Sequence, residues 1–569
     1  MSRKIHASMS AALAASLMAA VLGGCSSDNN AKSSASPAPG TAEATATAAQ
    51  SADATQSASA TASGPDADQP GWQLDTSPIT FKWFLDASWY QFKWGDSLVS
   101  KYITEKTGVT IDFDVPSGDP NQKLTTMIAS NSLPDFLSVG FWEDSFKKLQ
   151  ESGMVYALNE LADQYDPYFF KVAGDASLKW YKQPDGNTYV MPNEAYTVSD
   201  MKATGVTNAN QTFLVRKDLY EEIGSPDMRT PEGFLGALRT IKEKYGTYKG
   251  QKIIPFYAQG ASTSGVYGLE ELLMNMLAIP YEKDGKIYDR YTDPEYVKWL
   301  KTLNQAYREK LITIDFMVDQ APQVNQKMNN ANYFSMLQEW TGIEAAIPVM
   351  SKQDPSIVYE AIDGPSNSNL DPAQIFPGSM TGWLPVMISK NTKNPERAIR
   401  FLSYLASEEG QKDIFLGKKG ETWDTIDGKD QLLPEVKKAY DEDQTAFGQK
   451  YGAVDTYWQM RNPVVVSQWR PAKIAPVQQM TDWANKHADF TKVYAKDLDP
   501  LGNSPEGVAF TKIQQVYGQT LPKLLTAKSE AEFDKLWSGF VGERAKLGFD
   551  LVQQYRQQQL EMLKAKLAE

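Results

Sequence analysis

Between residues 79 and 139 the chain reads strand, helix, strand, helix, strand, and that order limits the fold more than any other feature of its 569 residues. Residues 79–85 (ITFKWFL) and 109–115 (VTIDFDV) carry the β-branched and aromatic residues of strands, the second with clean alternation. Between them, residues 96–106 bring Leu98, Val99, Tyr102 and Ile103 onto a helix that Gly108 closes. Asp119 or Asn121 can cap a second helix bearing Leu124, Met127 and Ile128, and residues 134–139 supply a third strand. This is the beginning of a doubly wound parallel sheet, whose ligands bind at the carboxyl ends of the strands.

Those ends are where the aromatic residues gather. Asp86, Trp89, Tyr90 and Trp94 follow the first strand, and Phe141, Trp142 and Glu143 follow the third. Flat indole faces complement the C–H faces of sugar rings, while neighbouring carboxylates and amides bond the hydroxyls. Any single tryptophan could equally be a core residue; it is their concentration at strand ends that points to a site.

The N-terminus sets the compartment. Arg3 and Lys4 precede an apolar run from Met9 to Leu22, which has the length of a signal-peptide core rather than a bilayer span. Leu22-Gly23-Gly24-Cys25 is similar to a lipobox, where secreted bacterial lipoproteins are cleaved and acylated on the new N-terminal cysteine. Cys25 is the only cysteine, so it forms no intramolecular disulfide. Residues 26–70 contain no Leu, Ile, Val, Met or aromatic residue and are expected to be a disordered Ala/Ser/Thr tether. As a random coil it would reach roughly 40 Å.

Composition excludes several classes of function. The formal charge is −13, and losing Arg3 and Lys4 with the signal takes the mature chain to −15, which argues against nucleic acid and anionic membrane surfaces as partners. Of the two histidines, His6 goes with the signal and His487 stands in a polar, helical-looking stretch, expected at the surface. That leaves no Ser-His-Asp triad, no Cys-His pair and no His-rich zinc site; what survives is chemistry needing only carboxylates, tyrosines or lysines, and no metal or cofactor is expected. No compact cluster of basic residues stands out; Arg470 is a lone candidate for an acidic ligand.

Further along, residues 185–192 read as a turn and a strand that stops at Pro192, and residues 212–223 as a strand running into a helix. Thr230 can cap a helix that opens on Pro231. Residues 252–257 form a short strand followed by Gln259 and a Gly/Ser-rich loop to Gly265, which lacks the residue order of a phosphate cradle.

The order of residues 123–135 (KLTTMIASNSLPD), 186–192 (GNTYVMP), 213–219 (FLVRKDL), 230–234 (TPEGF), 333–340 (YFSMLQEW) and 393–402 (KNPERAIRFL) resembles the extracellular solute-binding proteins of carbohydrate ABC importers. Residues 417–423 and the tail from 512 to 555 are similar to the long Gram-positive lipoprotein branch of that family. The resemblance implies an α/β, two-lobe periplasmic-binding-protein-like fold with a ligand cleft between the lobes and an extra helical C-terminus. Residues 1–25 would be the signal and 26–70 the tether. Residues 71–195 plus 355–420 would form lobe 1, and 196–354 plus 421–569 lobe 2.

It also implies non-catalytic capture of an oligosaccharide by a monomer, held by a lipid on Cys25 at the extracellular face of the membrane and delivering to an ABC permease. Trp340 stands where this family often stacks a sugar, and Trp383 lies near the expected cleft. The expected ligand-binding set is Asp86, Trp89, Tyr90, Trp142, Gln259, Glu339, Trp340 and Trp383. Some members of the branch carry a calcium loop after the helix at Thr230; residues 243–251 lack its acidic oxygens, so no calcium is expected there. Residues 551–567 should form an amphipathic helix packed on lobe 2. Two alternatives stay open: a surface-anchored glycoside hydrolase working with two carboxylates, and a binder of peptides or other polar solutes.

Overall fold

A computed structural model describes residues 67–260 and 268–568. Cys25 with its lipobox, the tether up to residue 66 and the Gly/Ser stretch at 261–267 lie outside the described residues.

The chain builds its first sheet from β1 (Ile79–Leu85), β2 (Val109–Asp114) and β3 (Phe136–Ser138), all parallel. Helix α1 (Leu98–Thr107) joins β1 to β2 and ends at Gly108, whose φ of 74° lets its N–H reach back to the Thr104 carbonyl. Helix α2 (Pro120–Ala129) is capped by the Asp119 carboxylate and leads to β3. Phe81, Trp83 and Phe136 are buried together, with Trp83 stacked on Phe136 at 4.7 Å and its indole N–H on Ser138 Oγ at 2.9 Å.

The chain then crosses into a second sheet. It holds β4 (Gln211–Arg216), β5 (Ile254–Ala258), β6 (Tyr333–Glu339) and β7 (Tyr359–Ala361), in the order β7-β4-β6-β5. Helix α3 (Pro231–Tyr245) opens at Thr230 with Pro231 as its first residue and packs beside β5. On its return the chain places β8 (Val386–Ile388) beside β3, giving the first sheet the order β8-β3-β1-β2.

Here the structure departs from a purely parallel sheet. β8 runs antiparallel to β3, with Met387 opposite Leu137, because the chain re-enters from the end where the first three strands finish. In the second sheet β4 runs antiparallel to both β6 and β7, and only β5 and β6 are parallel. The strand expected before Pro192 is reduced to one bridge, Met191 to Val386.

Helix α4 (Pro395–Ala406) covers the first sheet and α5 (Ala475–Lys486) the second, and the C-terminus adds α6 (Pro505–Leu525), α7 (Glu530–Lys546) and α8 (Phe549–Ala568). The chain passes between the two cores near residues 205–210, 374–382 and 470–474. Two passages touch: the Asn208 N–H donates to the Pro377 carbonyl at 2.7 Å.

The C-terminal third divides differently from the expected boundary at 421. Trp423, Val436, Phe447, Tyr457 and Trp469 pack in the first core with Val99 and Tyr404, whereas Val477, Tyr517 and Phe540 pack in the second. Helix α8 does not simply lie on lobe 2: its Leu560 and Leu563 join Phe146, Trp180 and Tyr181 of the first half. His487, expected at the surface, is buried at the end of α5, its ring tilted against Trp483 with centroids 4.2 Å apart and Nδ1 2.7 Å from the Trp483 carbonyl. No helix among the described residues is long and apolar enough to cross a membrane.

Candidate functional site

The ends of β1 and β3 are tied together by Asp86. Its Oδ2 accepts the Gly140 N–H at 2.9 Å, while the Asp86 N–H donates to the Ser138 carbonyl. Gly140 has room for no side chain: a Cβ there would stand 2.7 Å from the Trp142 ring and 3.1 Å from Asp86 Oδ2. The indole of Trp142 therefore lies directly over the backbone that Asp86 holds. Glu143, which is buried beside it, has its carboxyl pushed up to about 7 by burial and by the charge of Asp86, against a hydrogen bond from Trp142. Burial raises the Asp86 carboxyl as well.

A second group is aromatic. Trp89 stacks on Trp383 with 11° between the planes and centroids 6.2 Å apart, and on Trp458 at 5.7 Å. Trp383 and Trp458 are themselves 4.6 Å apart. Trp89 is 55% exposed, an unusual state for a tryptophan in a stack, so a broad indole face is presented to solvent beside the half-buried Trp383 and the buried Trp458. Tyr90 is different: only 5% exposed, it donates to the Thr456 carbonyl at 3.0 Å and meets Phe92, Phe113 and Trp458 edge-on. Tyr90, one of the expected ligand-binding residues, is thus buried edge-on against Trp458.

The second sheet contributes its own strand ends. Gln259 follows β5, and Glu339 and Trp340 end and follow β6. The Glu339 carboxyl is pushed up to about 7 by burial, against hydrogen bonds from Asn210 and Gln259, so two of the expected residues meet here. The Trp340 indole is 9% exposed, donates to the Ala209 carbonyl at 3.1 Å, and carries the Lys473 ammonium 3.8 Å from its ring centroid.

Between these groups runs a set of charges that the sequence did not disclose. Arg461 bonds Glu194 and Asp455, and Arg470 reaches the same Asp455 with both terminal nitrogens, at 2.7 and 3.1 Å. Arg461 follows Trp458 by three residues and Lys473 follows Arg470 by three, so this basic cluster joins the aromatic stack to Trp340. The expectation that Arg470 stands alone is corrected: its neighbours, unremarkable in sequence, are gathered by the turn at residues 458–460 and the crossing at 470–474. Trp458 was missed for the same reason; its only sequence signal was membership of the run Tyr457-Trp458.

Not every concavity belongs to this set. A cavity of about 1250 Å3 is lined by Lys179, Trp180, Tyr281, Phe490, Tyr494 and Lys564 among others, and holds none of the expected residues. Its lining has no exposed stacked indoles and no carboxyl at a sheet strand end, so the strand-end groups remain the candidate site. Among the described residues no cluster of His, Cys, Asp and Glu is arranged to hold a metal ion.

Two sheet-centred lobes joined by several crossings, with aromatic rings and carboxyls at the strand ends of both, define a two-lobed binding protein of the periplasmic-binding-protein type. Residues 86–412, more than half of the chain, match the bacterial extracellular solute-binding protein family, and the chain belongs to that family. Lipoprotein LipO of Bacillus subtilis (strain 168) is 21% identical over 340 residues, covering 58% of this chain and 64% of LipO, so the match spans less than two thirds of that relative. The alginate-binding protein AlgQ2 superposes with a TM-score of 0.64 at 18% identity, over 86% of this chain and 99% of that one. The FusA substrate-binding protein of S. pneumoniae, solved with kestose, gives 0.60 at 14% identity over 86% and 100%. At such identities the likeness is one of fold.

Proposed function

We propose that this protein captures an oligosaccharide between its two lobes, does no chemistry on it, and delivers it to a membrane ABC permease as a monomer. Cys25 would carry the acyl anchor that keeps it on the extracellular face of a Gram-positive membrane; its likeness to a lipoprotein supports that placement. The observation that carries the reading is the stack of Trp89, Trp383 and Trp458 with its outer face exposed, set beside strand-end carboxyls. Sugar rings would lie against Trp89, Trp142, Trp340 and Trp383, while Asp86, Gln259 and Glu339 take the hydroxyls, and Tyr90 holds the stack in place. AlgQ2 and FusA share this fold and are described by their saccharides, which favours the same class of ligand here.

One observation favours a second reading, a glycoside hydrolase: the carboxyls of Glu143 and Glu339 both sit near 7, where a general acid would be held. A single experiment separates the two. The melting temperature of the whole chain is followed with defined oligosaccharides, peptides and buffer alone, and the sugar is recovered afterwards. A ligand bound only by the folded state raises the midpoint in proportion to RT ln(1 + [L]/Kd). A rise with one sugar series, recovered uncleaved, is the expected result. Shortened products would make the protein a hydrolase, and a rise with peptides alone would overturn the saccharide reading.

A further inference from the structure

The crossing at residues 470–474 carries the chain from Trp469 in the first core to Val477 in the second, and it brings Lys473 onto the indole of Trp340. Among the described residues the ammonium has one hydrogen bond, to Thr481 Oγ1 at 2.8 Å. No carboxylate of the described residues comes within 4.0 Å of it. Glu344 and Asp482 act on it only from longer range, and Arg461 and Arg470 oppose them. The two arginines, by contrast, are already matched by Asp455 and Glu194, two cations against two anions in direct contact. One cation in the cluster is therefore left without a counter-ion at contact distance.

That is a costly arrangement. Burial strips water from the Lys473 ammonium and holds its ionisation down to about 8, and an indole face with one hydroxyl returns only part of what is lost. A ligand arriving at Trp340 meets a ring already covered by a positive charge. An uncharged sugar would shield that charge further from solvent and give it nothing in return, whereas an anion would complete it.

We propose that the sugar unit bound at Trp340 is a uronic acid, whose carboxylate pairs with Lys473. This rests on the saccharide reading above and narrows it to carboxylated sugars. The matched pairs Arg461–Glu194 and Arg470–Asp455 then act as a frame, and Lys473 as the charge that selects. One cation without a partner asks for one carboxylate at this position, not for a polyanion.

The test is calorimetric titration of the whole chain with two oligosaccharide series of equal length, one of uronic acids and one of the corresponding neutral sugars. The acid series should bind at least about tenfold tighter at low salt, and the advantage should shrink as salt is added. In Lys473→Met, which keeps the length of the side chain and removes the charge, the preference should vanish, with the acid series losing at least about tenfold in affinity. Lys473→Arg should retain the preference, which guards against a variant that merely folds poorly. Equal binding of both series, or a preference that survives Lys473→Met, overturns this inference and leaves the saccharide reading intact. If neither series binds, the saccharide reading itself falls, and this inference with it.

Discussion

At the scale of single residues, Trp89 and Tyr90 are neighbours in sequence with opposite fates. The Trp89 indole is mostly exposed on top of a stack, while the Tyr90 ring is sealed beneath it by its bond to the Thr456 carbonyl. Trp89→Ala should therefore weaken oligosaccharide binding by about 1–3 kcal/mol and leave the melting temperature nearly unchanged. Tyr90→Phe should do the reverse, lowering stability by about 1 kcal/mol through the lost hydrogen bond with little direct effect on affinity. Paired calorimetric titrations and denaturant melts on both variants check this. Both residues stood out in the sequence, and nothing in it distinguished them. The difference is set by Thr456 and Trp458, more than 360 positions away, which no local pattern reveals.

At the scale of elements, the loop after β3 is built around the absence of a side chain. Trp142 folds back over Gly140, whose N–H is held by Asp86, so the junction between β1 and β3 and the placement of the indole are one structure. Adding a methyl group in Gly140→Ala forces the ring aside and should cost about 1–3 kcal/mol in stability, with a matching loss of ligand affinity. In a Trp142→Ala background most of that cost should disappear, since the atoms it collides with are gone. A double-mutant cycle in urea measures it; full additivity would mean that ring and glycine are not coupled.

The elements were largely legible. β1, α1, β2, α2 and β3 stand within two or three residues of their sequence positions, because alternation, caps and Gly108 are local signals. What was not legible was strand direction. β8 looks like any short apolar strand, and its antiparallel setting follows from where the chain re-enters the sheet. The basic cluster escaped for a related reason: Arg461, Arg470 and Lys473 are spaced along an irregular segment, with no helical or strand period to put them on one face.

For the whole molecule, buried carboxyls couple the site to global stability. Glu339 ionises near 7 in the fold and near its ordinary value of 4.5 in the unfolded chain, because burial disfavours the charged form. Between those values the unfolded chain has lost a proton that the folded chain still holds, so this group makes stability fall as pH rises from about 4.5 to 7. Compared with Glu339→Gln, the parent should lose on the order of 2 kcal/mol across that window, read from denaturant melts at several pH values. A gap that widened in the parent's favour as pH rose would show that the carboxylate, not the acid, is the form the fold prefers.

The division of the C-terminal third could not have been read in advance either. Trp423, Phe447 and Tyr457 carry apolar surface that either lobe could bury, and their partners Val99 and Tyr404 are distant in sequence. Amphipathicity says that a segment will pack, not on what.

The late arrival of β8 has a consequence for how the protein is made. β3 pairs with β1 as soon as the first 138 residues are available, but its other edge waits for Val386–Ile388. During synthesis that edge stays open while about 250 further residues, including the entire second sheet, are produced, and closing so long a loop is intrinsically slow. A chain of this topology cannot seal its first lobe early. The first sheet is therefore completed only once residues 386–388 have been made, later than every strand of the second.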